Sequence, residues 1–174
     1  LPVKRAVRLL RQIADGVDAA HDIGILHRDL KPANIFIMQK GKSGDGFIKV
    51  GDFGLAKIIN ATVTDFSSQA TPSSRGIIGT PEFMSPEQMQ PETGVDKRAD
   101  LYALGTIAYL MLGGKTPFTG DLMQLVMQKI MHKPAPLSSI RSDIPPEVDR
   151  VIMQALEIDP ANRIQASNIS GVIL

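Results

Sequence analysis

The sequence predicts a mainly α-helical fold with one small β hairpin, and three observations carry that prediction. Three stretches repeat their apolar residues at amphipathic helical spacing, and a fourth is apolar around nearly its whole circumference. Two short runs rich in β-branched and aromatic residues flank a glycine-rich stretch, the pattern of a hairpin. A helix that is apolar on all sides needs other elements packed about it, so the fourth stretch reads as a central scaffold.

The elements follow in order. Val7, Leu10, Ile13, Ala14 and Val17 recur at helical spacing and Gly24 follows as a stop, so residues 4–22 should form an amphipathic helix. Ile35-Phe36-Ile37 and Phe47-Ile48-Lys49-Val50, separated by Gly41, Gly44 and Gly46, should form a hairpin that ends just before Asp52. Residues 60–76 lack apolar periodicity and are rich in Ser and Thr, which indicates a long surface loop. From Lys97 to Leu112 apolar residues surround the helix, and Gly113-Gly114 ends it. Two more amphipathic helices are expected over 121–132, with Leu122, Leu125, Val126 and Ile130, and over 146–157, with Val148, Val151, Ile152 and Leu156. Asp159-Pro160 then breaks the pattern, and there is no internal repeat of the kind a solenoid requires.

Composition bounds the function. At 174 residues and 43% hydrophobic content the chain has the length and apolar fraction of a single domain able to bury a core. Lys and Arg total 19 against 18 for Asp and Glu, so a net charge of +1 gives no general attraction to nucleic acid or to an anionic membrane. The absence of cysteine excludes a disulfide scaffold, a thiolate nucleophile and a Cys-ligated zinc site, and agrees with a reducing cytoplasm. The apolar run from Leu101 to Leu112 is shorter than the roughly 18 residues of a membrane-spanning helix. Nothing near Leu1 resembles a signal peptide. A cytoplasmic segment without membrane contact is therefore expected, and a membrane anchor elsewhere in a longer product is compatible with it. Because the chain opens on Leu1 and not on Met, it reads as a piece of such a product.

The chemistry is concentrated in motifs. His27-Arg28-Asp29-Leu30-Lys31-Pro32-Ala33-Asn34 is followed by Asp52-Phe53-Gly54, then by Gly79-Thr80-Pro81-Glu82-Phe83-Met84-Ser85-Pro86-Glu87. The first two match the H-R-D-L-x-x-x-N catalytic loop and the D-F-G motif of protein kinases. The third resembles the kinase segment that receives the substrate, with Ser85 in place of the usual Ala of Ala-Pro-Glu. The chain thus resembles the eukaryotic-like serine/threonine protein kinases. Ser85 followed by Pro86-Glu87-Gln88 is similar to their bacterial branch.

The resemblance implies a protein-kinase-like fold, with the whole chain, residues 1–174, forming a partial kinase domain: catalytic loop, activation segment and helical C-terminal lobe. It implies ATP and magnesium as cofactors and protein substrates as partners. Asp29 would accept the proton of the attacking hydroxyl and aim its oxygen, and Lys31 would neutralise charge on the γ-phosphoryl group. Asn34 and Asp52 supply oxygen atoms suited to a hard cation. Standing alone, Lys31 would read as a solvated lysine and Asp52-Phe53-Gly54 as an Asp-initiated turn; the intact run favours the functional reading of both.

Other roles carry over in the same way. Arg28 would bind a phosphate on the activation loop, whose acceptor is expected among Ser74, Ser73 and Thr71, since Gly76 stands where many relatives carry a threonine. Thr80 would help to position the acceptor, and with Lys31 it indicates serine or threonine over tyrosine. Glu87 would pair with Arg163, and Asp100 would hold the backbone of the catalytic loop; the bland alternatives are surface charges and a first-turn acid favoured by the helix dipole. His27 and Phe53 would stack in a hydrophobic column, which makes His27 a core histidine and not a base or ligand.

Within the 174 residues there is no G-x-G-x-x-G-x-V, no V-A-I-K lysine and no partner glutamate, the parts that cover and neutralise ATP phosphates. The expectation is therefore a lobe that is inactive without its own N-terminal lobe. Two rival readings remain: a pseudokinase or lone helical lobe that binds partners, and a small-molecule kinase of the same fold. Retention of Asp29, Lys31, Asn34 and Asp52 weighs against the first, and the 79–87 segment against the second.

Overall fold

A computed structural model describes residues 1–38, 46–53, 80–90 and 94–165. Helix α1 runs Val3–Asp22 and buries Ala6, Leu10, Ile13, Ala14 and Val17 as a single stripe. It stops where the Ile23 and Gly24 amides turn back to Ala20 and His21, with Gly24 at φ 76°, a conformation that suits a residue without Cβ. A 3-10 turn, Pro32–Asn34, leads into β1, Ile35–Met38, which pairs antiparallel with β2, Phe47–Val50, in the register Ile35 to Val50 and Met38 to Phe47. The Ile48 amide donates to Gln12 Oε1 at 2.9 Å, tying the hairpin to α1.

Helix α2, Arg98–Gly113, is the scaffold: Leu101, Tyr102, Leu104, Ile107, Ala108 and Tyr109 are all buried although they point in every direction. Gly114, at φ 81°, caps it with a hydrogen bond from its amide to the Leu110 carbonyl. Helix α1 packs on one side of α2 and α4, Pro146–Ala155, on another. The approach to α4 is close, since a Cβ on Gly105 would lie 2.9 Å from Ala155 Cβ. Helix α3, Leu122–Met131, starts with a reciprocal cap in which the Gln124 amide donates to Asp121 Oδ1 and the Asp121 amide to Gln124 Oε1.

The expected and observed element ends agree to within one residue except at the end of α4. The expected limit was residue 157, whereas the helix closes at Ala155 because Leu156 and Glu157 turn back to Met153 and Gln154 in a tightened final turn. The serine-rich 60–76 stretch, Gly54 and the candidates Thr71, Ser73 and Ser74 lie outside the described residues. Among the described residues no helix is long and apolar enough to cross a membrane.

Candidate active site

The loop between α1 and β1 is irregular backbone, and a buried carboxylate fixes it. Asp100, in the first turn of α2, accepts from the His27 amide at 2.9 Å, the Arg28 amide at 2.7 Å and His21 Nε2 at 2.8 Å. These bonds hold Arg28 at φ 64°, a left-handed conformation that costs a non-glycine residue roughly 1–2 kcal/mol and persists only where its surroundings impose it. His27 is fully buried, its Nε2 donating to the Gly51 carbonyl at 2.9 Å, and its ring lies 4.7 Å from that of Phe53. With that nitrogen committed and its other one facing the Asp29 amide, His27 is a structural link between loop and hairpin.

This frame gathers the chemically active side chains. Asp29 Oδ2 and Lys31 Nζ are 2.7 Å apart, both partly exposed. Asn34 is buried and its amide nitrogen donates to the Asp29 carbonyl at 2.9 Å, which commits the nitrogen and leaves the amide oxygen as the atom able to ligate a cation. The Asn34 carbonyl accepts from the Gly51 amide at 2.8 Å, so the residue before Asp52 is bound to the catalytic loop through both its amide and its carbonyl. Asp52 itself is exposed, at φ 59°. One amide and one carboxylate oxygen suit magnesium, which keeps several positions for water and phosphate oxygens.

A second irregular segment flanks this loop. Thr80, Phe83, Met84 and Gln88 line a cleft together with Arg28, Asp29 and Leu30. Gln88 joins the two segments: its amide nitrogen donates to the Arg28 carbonyl at 2.8 Å while its Oε1 accepts from the Ser85 amide at 3.0 Å. Glu87 and Arg163 form a two-pronged, buried pair at 2.6 and 2.7 Å, and the guanidinium also donates to the carbonyls of Arg98, Glu157 and Ile158. Arg163 lies against the Tyr102 ring, 5.0 Å from its centre, and burial pushes the Tyr102 hydroxyl pKa upward. Arg28 Nε is buried and has no partner among the described residues.

Three participants were not foreseen in the sequence: His21, Gln88 and Lys129. His21 and Gln88 stand next to recognised motifs, and a polar residue near a helix end or inside a 3-10 turn is a detectable signal. Lys129 is different. It is 1% exposed on α3 and donates to the carbonyls of Pro81, Glu82 and Met84 at 2.9, 2.8 and 2.5 Å. Burial pushes its pKa down to about 7, while the Glu82 carboxylate and the carbonyl acceptors favour the charged form.

A loop carboxylate beside a lysine, an amide and a carboxylate on joined elements, and an irregular segment anchored next to them are attributes that a phosphotransfer domain would need. The protein kinase domain model matches residues 1–171, and the chain belongs to that family. Within it, the chain falls with the bacterial kinases of the eukaryotic-like serine/threonine type. It is 37% identical over 165 residues to serine/threonine-protein kinase PknB of Mycolicibacterium smegmatis, covering 94% of this chain and 25% of that protein. It is 43% identical over 159 residues to serine/threonine-protein kinase Pkn1 of Myxococcus xanthus, covering 90% and 22%. Against pkn3 of the same organism the identity is 38% over 162 residues, covering 91% and 29%. The chain thus spans about a quarter of the length of these curated relatives.

Proposed function

We propose that residues 1–174 are the helical lobe and activation segment of a cytoplasmic serine/threonine protein kinase that transfers the γ-phosphoryl group of Mg-ATP to protein hydroxyls. The observation that carries this reading is the Asp29 carboxylate, 2.7 Å from the Lys31 ammonium on a loop pinned at both ends by Asp100 and Asn34. Asp29 accepts the proton of the acceptor hydroxyl and directs its oxygen, and Lys31 offsets negative charge as the phosphoryl group moves. Asn34 and Asp52 hold magnesium, which neutralises phosphate charge when bound. Thr80 borders the cleft in which the acceptor lies. Arg28, whose buried Nε has no partner among the described residues, receives a phosphate placed on Ser74, Ser73 or Thr71.

A small N-terminal lobe completes the site in this reading. The outer face of the hairpin supports it: Phe36, Met38 and Phe47 share that face in the pairing register and are 48%, 43% and 48% exposed, an apolar surface near Asp52 that calls for a cover. A single radiolabelled ATP assay tests the proposal. The 174-residue chain should transfer no phosphate, the protein with its small lobe should, and Asp29→Asn in the latter should lose about 10²–10⁴-fold in kcat with ATP affinity retained. Undiminished transfer by Asp29→Asn would remove Asp29 from the chemistry.

A further inference from the structure

Lys129 does more than its position on an amphipathic helix requires. An ammonium taken out of water costs several kcal/mol unless its donors are used, and here three donors meet three carbonyls. Those carbonyls belong to one short irregular stretch, Pro81 to Met84, that cannot pair with itself: prolines at 81 and 86 lack N–H groups, and the bond from the Phe83 amide to the Thr80 carbonyl closes a single turn. Packing alone would be served by a leucine or methionine at 129. The charges facing this ammonium are Glu82 on the stretch itself and, past the Tyr102 ring 5.2 Å away, Arg163 paired with Glu87. The opposite side of the stretch lines the cleft beside Asp29.

We infer that Lys129 is a positioning residue for the acceptor protein: its ammonium sets the path of the 80–85 main chain next to Asp29, and so governs capture of the acceptor and not of the nucleotide. The inference rests on the phosphotransfer reading above and assigns the acceptor-side geometry to a residue far outside its motifs.

The test compares Lys129→Met with the unaltered full-length protein. The acceptor-peptide KM should rise about tenfold, a loss of roughly 1.4 kcal/mol, while the KM for ATP stays within about twofold. Lys129→Arg, which keeps charge and donors, should recover part of the loss. Amide hydrogen exchange over residues 82–85 should quicken in Lys129→Met, an outcome that does not depend on catalysis. Unchanged peptide KM with unchanged exchange would overturn the inference, as would equal losses for peptide and ATP or a failure of both variants to fold, which would make Lys129 a stability residue only. If the unaltered protein phosphorylates no peptide, the functional reading fails, and the exchange rates alone decide whether Lys129 sets the segment.

Discussion

The catalytic loop is held against α2 and the 80–90 segment against α3, both largely irregular backbone, yet opposite charges hold them. Asp100 is an anion and collects two main-chain amides with His21, whereas Lys129 is a cation and collects three main-chain carbonyls. The second segment has a further tie in the Glu87–Arg163 pair. The difference follows from what each backbone leaves unmet. The catalytic loop presents amides toward the start of α2, where an acidic side chain is also favoured by the helix dipole. The 80–90 segment is rich in proline and so presents carbonyls in excess of donors, which only a donor from elsewhere can satisfy.

Four substitutions probe this contrast. Arg163→Ala should have the largest effect, about 3–5 kcal/mol of stability by denaturant unfolding, because it takes both guanidinium bonds from the buried Glu87 carboxylate. The double variant with Glu87→Ala should cost less than the sum of the two single losses. Asp100→Asn comes next, at about 1–3 kcal/mol, since the amide that replaces the carboxylate accepts less well from His27 and Arg28. It should lower kcat more than either KM, the reverse of the pattern expected for Lys129→Met. Gln88→Ala should have the smallest effect, about 1 kcal/mol in a thermal or denaturant melt, as it removes one bridge between the segments. Equal kinetic signatures for the Asp100 and Lys129 variants would dissolve the contrast.

Sequence and structure agree best where periodicity is strong. The stripe Val7 to Val17 yields α1, and the all-round apolar pattern yields the buried α2, since both depend on side-chain spacing alone. The hairpin follows from alternating β-rich runs, and its register brings Gly51 against Asn34. The positions of Asp29, Asn34 and Asp52 could be read from their motifs because chemistry fixes both residue type and spacing there. Lys129 could not be. A lysine on an amphipathic helix reads as solvated, and its partners lie 45 to 48 residues away in backbone with no periodic signal. Nor does spacing reveal that Arg28 and Asp52 adopt positive φ, since that depends on bonds to Asp100 and on the turn after β2.

Asp100 and Lys129 hold the two irregular segments through main-chain atoms alone, and this has a consequence for how such a protein can diversify. The side chains of Glu82, Phe83 and Met84 are not consumed in anchoring the segment that bears them. Changing them leaves the main-chain anchors their partners, so the face that this segment turns outward can vary without rebuilding those anchors.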